Sequence, residues 1–188
     1  MNRQDAIKVV DELAKSPNIH KHLLAAEAAM VALYDYFEKQ DKVDQGSREE
    51  WGIVGLLHDA DYEATDKDLD RHTDVVTEKI KGKVSQEVID AIAGHADKAE
   101  RRTLMAKAIY AADELTGLIV AAALVRPDKE LEGLTADSVL KRFKEPSFAK
   151  GANREQIKTC ESELEIELSN FVDIVLNSMK KINWKLGL

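Results

Sequence analysis

The sequence predicts an all-α helical bundle, and three observations support that prediction. Only three prolines and nine glycines interrupt 188 residues, which favours long helices over a many-turned β architecture. Apolar residues recur with the three- and four-residue spacing of core-facing helices. Hydrophobic residues make up 44% of the chain and charged residues 33%, which is typical of a folded domain with a substantial core. We therefore expect one domain over residues 1–188.

Helix signals in the first half of the chain predict five helices, at about 6–13, 19–39, 47–62, 71–81 and 85–95. The first ends before a Ser-Pro pair, and the second carries an apolar stripe at helical spacing. Ser47, with Glu50 three residues later, forms a capping-box pattern and opens a helix that is apolar nearly all round. The polar loop EATDKDLD precedes the fourth helix, and Ser85 is expected to cap the fifth.

The second half of the chain predicts three further helices, at about 103–125, 135–144 and 154–182. The first of them contains the most apolar stretch, AIYAADELTGLIVAAALV, but a membrane span that carried Asp113 and Glu114 would be unfavourable. A buried helix of a soluble protein is therefore expected there. Thr135 caps the next helix. The last predicted helix is amphipathic, so that it could pack within the fold or across a homodimer.

Charge and cysteine content narrow the partners and the compartment. The net charge of −8 argues against binding to a nucleic-acid polymer, which needs clustered positive surface. Cys160 is the sole cysteine, so no internal disulfide is possible and a reducing compartment fits. The N-terminal residues MNRQDAIKVV carry no secretory signal. We expect a cytoplasmic protein with no membrane partner.

Histidine and aspartate residues stand at positions that predict a metal site. His58 and Asp59 follow the apolar run GIVGLL, so that an imidazole and a carboxylate at a buried helix end can reach one cation. Nitrogen and oxygen ligands together suit a divalent transition metal. On the second helix, at 100° per residue, His22 lies about 60° from Ile19 in the core-facing stripe, whereas His20 lies about 100° away on the other side. His22 is therefore the expected ligand.

Three more side chains extend this pattern. Asp113 lies among buried aliphatic residues, where a carboxylate is unfavourable unless it is paired or metal-bound. A structural salt bridge or a capping role is the alternative for Asp113. His72 and His95 each face apolar neighbours, and either alone would also fit a half-buried core histidine.

The order H…HD…H…H…D resembles the HD superfamily of metal-dependent phosphohydrolases, including small stand-alone bacterial members. The resemblance implies an HD-domain helical bundle with its core at about 19–125 and a C-terminal helical extension at about 126–188. It implies one divalent ion held by four residues, His22, His58, Asp59 and Asp113. Members with two ions add two histidines, which match His72 and His95. The motif HDADYE departs from the family's HDIG variant, and no GYP motif follows His95.

The resemblance implies hydrolysis of a small phosphorylated metabolite or nucleotide, with one or two ions of Mn, Fe, Ni, Co, Mg or Zn. Asp59 would bridge two ions, because a carboxylate has two oxygens to share. Asp61 and Glu63 would orient water or protonate a leaving group, or else be solvated loop acids. Basic residues in the last third of the chain would bind the phosphate, with the expected contacts at Lys144, Lys150 and Arg154.

Two alternative functions share these residues. HD-fold di-iron oxygenases have a similar H…HD…H…H…D order and cleave C–C or C–P bonds with oxygen. A non-catalytic HD module that binds a nucleotide would be the other alternative, although such modules usually lack some ligands, and all six positions are present here.

Overall fold

The computed structural model describes residues 1–188 and contains ten α-helices and no strands, which confirms the predicted all-α class. In chain order the helices are α1 Arg3–Leu13, α2 Pro17–Glu38, α3 Arg48–Leu57, α4 Asp74–Ile80, α5 Gln86–His95, α6 Leu104–Leu124, α7 Ala136–Phe143, α8 Arg154–Glu163, α9 Leu168–Lys180 and α10 Asn183–Leu186.

Polar side chains fix several helix starts as the sequence predicts. At α3 the Ser47 hydroxyl accepts the N–H of Glu50 and the Glu50 carboxylate accepts the N–H of Ser47, which completes the capping box. The hydroxyl of Thr135 likewise accepts a backbone N–H at the start of α7. Ser85 stands at the predicted N-cap of α5, but its hydroxyl donates to Glu50 instead of capping its own helix. Ser85 therefore ties the start of α5 to the start of α3.

Turns occupy residues 58–73, where the sequence predicted that the third helix would run to Tyr62. Helix α3 ends at Leu57, and α4 begins at Asp74, with Thr73 before it in the left-handed region at φ 72°. This difference matters for the site, because Asp59, Asp61 and His72 project from irregular backbone and not from a helix face.

The predicted helix over 154–182 is wrong as a continuous element. It breaks between α8 and α9, where Glu165 adopts a left-handed backbone at φ 55°. Leu164 and Ile166 are 2% and 1% exposed, although residues two apart point about 200° away from each other on a straight helix. The break turns both side chains into the core, which is the physical reason for it.

One cluster of 47 buried apolar residues runs from Ala6 to Leu186. Helix α2 packs against α3, α6 and α9, and α6 also packs against α5 and α8. The C-terminal helices therefore bury their apolar faces on the same core as the rest of the chain. None of the ten helices combines the length and apolar character that crossing a bilayer requires.

Helices α2 and α3 approach each other backbone to backbone at Gly55. A Cβ at this position would stand 2.6 Å from the carbonyl oxygen of Ala26 and 2.6 Å from the nitrogen of Glu27. Only glycine fits such a contact without displacing one helix. Because His58 lies three residues after Gly55 and His22 four residues before Ala26, this contact brings the two rings together.

Candidate metal centre

The six side chains that the sequence analysis singled out as metal ligands converge in two adjoining groups. The first group comprises His22, His58, Asp59 and Asp113, and the second comprises Asp59, His72 and His95. Within each group, one ligand atom from every residue lies within 4.8 Å of the others. The chain thus holds two clusters of imidazole and carboxylate groups that could bind a metal ion.

The first group forms where α2, α6 and the turn after α3 meet. The Nε2 atom of His22 lies 3.1 Å from Nε2 of His58 and 3.1 Å from Oδ1 of Asp113. It lies 3.5 Å from Oδ2 of Asp59. Nε2 of His58 is 3.3 Å from the same oxygen of Asp113. Two ring nitrogens and two carboxylates therefore face a common point.

The second group shares Asp59 with the first but uses its other oxygen. Oδ1 of Asp59 lies 3.1 Å from Nε2 of His72 and 3.1 Å from Nε2 of His95. The two ring nitrogens are themselves 3.1 Å apart. Because Oδ2 of Asp59 faces His22, the two oxygens of this carboxylate face different groups.

Hydrogen bonds on the far side of the rings set their tautomers. Nδ1 of His58 donates to the carbonyl of Gly55 at 2.9 Å, and Nδ1 of His95 donates to the carbonyl of Ile92. A carbonyl only accepts, so in the neutral rings the hydrogen is on Nδ1 and the lone pair of Nε2 faces the cluster. This is the arrangement of a metal-ligating histidine, in which the second ring nitrogen is held by a backbone or carboxylate partner.

Charge inside the cluster is balanced by mutual pairing. Burial opposes protonation of His22, but its hydrogen bonds to Asp113 and Asp59 outweigh that effect and raise its pKa to about 10. Burial likewise opposes protonation of His72, and its bonds to Asp59 and Asp61 raise its pKa to about 9. These positive rings occupy the place that a cation would take, so metal binding would displace their protons.

The carboxyl groups show the converse shift. Burial would raise the pKa of Asp113, but hydrogen bonds from His22 and His58 lower it well below its usual range. The pKa of Asp59 is lowered too, because the surrounding histidines outweigh the effect of burial. Both carboxylates are therefore ionised, as metal ligands must be.

The centre is more exposed on one side than on the other. The side chains of His58, His72 and His95 are 0%, 6% and 4% exposed. Those of His22, Asp59 and Asp113 are 24%, 19% and 17% exposed. A small molecule would therefore approach along this open edge, where α2, α6 and the turn after α3 meet.

Asp61 lies behind the centre and not at this open edge. Its carboxylate is fully buried, and Oδ1 accepts Nδ1–H of His72 at 3.0 Å and the backbone N–H of Thr73 at 2.9 Å. Oδ2 accepts the backbone N–H of Val76 at 3.0 Å. The predicted contact of Asp61 with water or a leaving group does not fit this placement. Asp61 instead positions His72. Because its carboxylate is buried, the alternative that Asp61 is a solvated loop acid does not fit either.

Glu63 is not brought to the centre either. Its Oε2 accepts the backbone N–H groups of Lys15 and Ser16 at 2.7 and 2.9 Å, between α1 and α2. The carboxylate thus accepts two backbone hydrogen bonds just before α2 and stabilises the connection between α1 and α2. The predicted role of Glu63 in ordering water does not fit that geometry.

The predicted phosphate contacts have different outcomes. Arg154 directs its guanidinium to four backbone carbonyls, those of Phe143, Phe148, Ala149 and Ala152, and so closes the loop before α8. Its donors are used internally, which does not fit phosphate binding. Lys144 and Lys150 are exposed on the same loop. The structure shows neither lysine in contact with the metal ligands.

Sequence reasoning assigned no role to Glu114, although the structure puts it beside the centre. Its Oε2 accepts the backbone N–H of Asn153 at 2.9 Å, and burial, followed by the charge of Asp113, raises its pKa. Glu114 thereby ties the loop before α8 to the metal-ligand helix. The sequence feature that could have identified Glu114 is its position directly after Asp113 in an apolar stretch, where a second acidic residue is unexpected.

His20 lies outside both groups, as the helical wheel predicted. Its Nε2 lies 3.0 Å from the carbonyl oxygen of Ala14, and its Nδ1 is 3.9 Å from Asp11.

Comparison of the chain with protein-family models, with curated proteins and with solved structures finds no match.

Proposed function

We propose that this chain is a metal-dependent phosphohydrolase of the HD type, acting on a small phosphorylated metabolite or nucleotide with two divalent ions. The observation that carries the proposal is the geometry of Asp59, whose two oxygens face two separate sets of imidazole nitrogens. A carboxylate shared in this way is the bridging ligand that a two-ion site needs.

The donor set favours a transition metal over magnesium. Four of the six ligand side chains are imidazoles, and imidazole suits Zn, Fe, Ni and related ions, whereas Mg²⁺ prefers oxygen ligands and retains water. We therefore propose Mn, Fe, Co, Ni or Zn as the resident ions. The same donor set suits a di-iron oxygenase, so iron content combined with oxygen uptake is an outcome that the experiment below must measure.

When bound, divalent ions lower the pKa of coordinated water and polarise a phosphoryl oxygen. The residues of this chain have distinct tasks around them. His58, His72 and His95 form the buried wall, where carbonyl and carboxylate partners hold the rings in one orientation. His22 and Asp59 stand at the open edge, where a phosphate oxygen would enter. The buried wall excludes bulk water from the far side, which strengthens electrostatic interactions within the site.

The test begins with elemental analysis of the purified protein, followed by a screen of phosphorylated metabolites with each metal. We expect two ions per chain and release of phosphate or a phosphomonoester from at least one compound. His58→Ala and Asp113→Ala should lose metal and abolish release. His72→Ala and His95→Ala should lower the stoichiometry from two toward one.

His20→Ala is the matched control, because it removes a histidine from the same helix that contacts only the Ala14 carbonyl and the distant Asp11. It should keep the metal and the activity. An unchanged stoichiometry in His72→Ala and His95→Ala would reject the two-ion proposal. Iron-dependent oxygen consumption without any phosphate release would replace hydrolysis by the oxygenase.

A further inference from the structure

A cavity of about 620 Å³ lies on the side of α2 that faces away from the metal centre. The start of α1, one face of α2, helix α3 and the chain from Ser178 to Lys185 surround it. Val31 lines the cavity and stands nine residues after His22, about 180° around the helix. The cavity is therefore separate from the site proposed above, and its volume is within the roughly 300–1,000 Å³ of small-molecule pockets.

Six of the fifteen residues that line the cavity are apolar and seven are charged. Its apolar lining residues are Leu24, Ala28, Val31, Ala32, Ile53 and Ile182. Ala28 and Ala32 of α2 present short side chains to the cavity. At Gly52 a Cβ would stand 3.1 Å from Cγ2 of Val31, so α2 and α3 are already in close contact there. The hydroxyl of Ser178 already donates to the carbonyl of Val175. An alkyl or aryl body would bury its surface favourably against the six apolar residues.

The acidic groups around the cavity are already bound. Arg3 holds Glu27 through two N–H groups. Arg48 holds Asp35 in the same forked geometry, at 2.6 and 2.9 Å. Glu49 accepts the backbone N–H of Arg3 at 3.0 Å. Two of the three carboxylates are therefore neutralised by arginines, and Glu49 is the one whose only partner is an uncharged amide.

Two lysines on the lining carry charge that is not neutralised in this way. Lys181 and Lys185 are exposed, and neither forms an ion pair. With Arg3 and Arg48 they make four cations against three carboxylates around the cavity, in a chain whose net charge is −8. The Lys185 ammonium lies 5.1 Å from the ring centroid of Trp184, which is 75% exposed. The surroundings therefore favour an anion with an apolar body.

We propose that this cavity binds a small organic anion, with a carboxylate or phosphate head group at Lys181 and Lys185 and a hydrocarbon body against α2 and α3. The lysines supply the charge-assisted hydrogen bonds that hold such a head group. The short side chains of Ala28 and Ala32 leave space for the body. Carboxylate and phosphate share this chemistry, so both are tested.

Isothermal titration calorimetry with octanoate, octyl phosphate and octan-1-ol tests the proposal on the full chain. We expect saturable binding of both anions, with octan-1-ol at least about tenfold weaker, because one charge-assisted contact contributes about 1.5–3 kcal/mol. The double variant Lys181→Ala/Lys185→Ala should weaken the anions by at least about tenfold. A matched double variant, Lys81→Ala/Lys141→Ala, removes two exposed lysines away from the cavity and should bind like the wild type.

Filling the cavity gives a second, independent test. Ala32→Leu should abolish binding of all three probes while circular dichroism remains that of the wild type. If this variant does not fold, amide chemical-shift changes in the wild type on addition of octanoate locate the binding site. The largest changes should occur at Ala28, Gly52 and Lys181. Absence of binding to the wild type, equal affinity for octan-1-ol and octanoate, or shift changes confined to α5 and α6 would overturn the proposal.

Discussion

Asp61 illustrates how one side chain acquires its task from its surroundings. It lies two residues after Asp59, yet its carboxylate faces away from the open edge and receives hydrogen bonds from His72, Thr73 and Val76. Burial raises the pKa of Asp61, but the hydrogen bond from His72 and the two amides lower it below its usual value. An ionised acceptor behind a ligand ring fixes the ring's orientation and its tautomer.

Replacing Asp61 by Asn should weaken the second group of ligands selectively. The amide is neutral and holds Nδ1–H of His72 less firmly, and loss of such a partner lowers metal affinity by about ten- to a hundredfold. Metal titration after gel filtration should show one tightly held ion where the wild type holds two. Glu63→Gln is the control, because Glu63 binds only the amides of Lys15 and Ser16. Equal loss in both variants would contradict the positioning role.

At the scale of elements, the contact between α2 and α3 determines the first group of ligands. Gly55 allows the backbone of α3 to approach Ala26, and the two helices then present His22 and His58 with their Nε2 atoms 3.1 Å apart. Neither helix alone creates this distance. It arises because Gly55, one turn before His58, contacts the backbone at Ala26, one turn after His22.

Gly55→Ala should therefore damage both stability and metal binding. The new Cβ would meet backbone atoms at 2.6 Å, which cannot rotate away, so α2 and α3 must separate. We expect a loss of about 1–3 kcal/mol in the free energy of unfolding, as for other over-packed cores, together with weaker binding by the first group. Urea denaturation of the metal-free protein and metal titration measure the two effects.

Gly117→Ala provides the matched control for that experiment. Gly117 lies within α6, and a Cβ there would meet no atom within 4 Å. Its replacement should leave stability unchanged or raise it by up to about 1 kcal/mol, because alanine favours helix. A Gly55→Ala protein as stable as Gly117→Ala would show that the close approach does not constrain the helices.

Across the whole molecule, the metal centre connects segments that are distant in sequence. Its candidate ligands come from α2, the turns between α3 and α4, α5 and α6, and these helices share one core cluster. Without metal, buried carboxylates and charged imidazoles hold each other in place. An ion that binds only the folded arrangement must therefore stabilise the entire chain.

Removal of metal should lower the melting temperature. Free metal at a thousand times Kd adds about 4 kcal/mol per site, and each kcal/mol shifts Tm by about 2–4 °C in a domain of this size. Differential scanning calorimetry with excess metal and with a chelator measures the difference. His58→Ala should show little response to the chelator, and a response equal to that of the wild type would mean that the stabilising ion binds elsewhere.

Local sequence patterns determined the helical class and most helix positions and marked His22, His58, Asp59 and Asp113 as ligand candidates, whereas His72 and His95 became candidates through the resemblance of the whole H…HD…H…H…D order to the HD superfamily. Helical periodicity is a property of neighbouring residues, so it sufficed to prefer His22 over His20 and to mark Asp113 as an acid among aliphatics. No local sequence pattern predicted the break at Glu165. The break depends on tertiary packing, because both Leu164 and Ile166 are buried in the core.

Tertiary structure alone decided how each polar atom around these candidates is used. Asp59 divides its oxygens between two sets of imidazoles, Asp61 supports His72, and Arg154 binds the carbonyls of its own loop. The direction of a side chain on a turn and the partner of a charged group depend on atoms brought together from distant parts of the chain. Such contacts form only when the helices pack, and no spacing along the sequence encodes them.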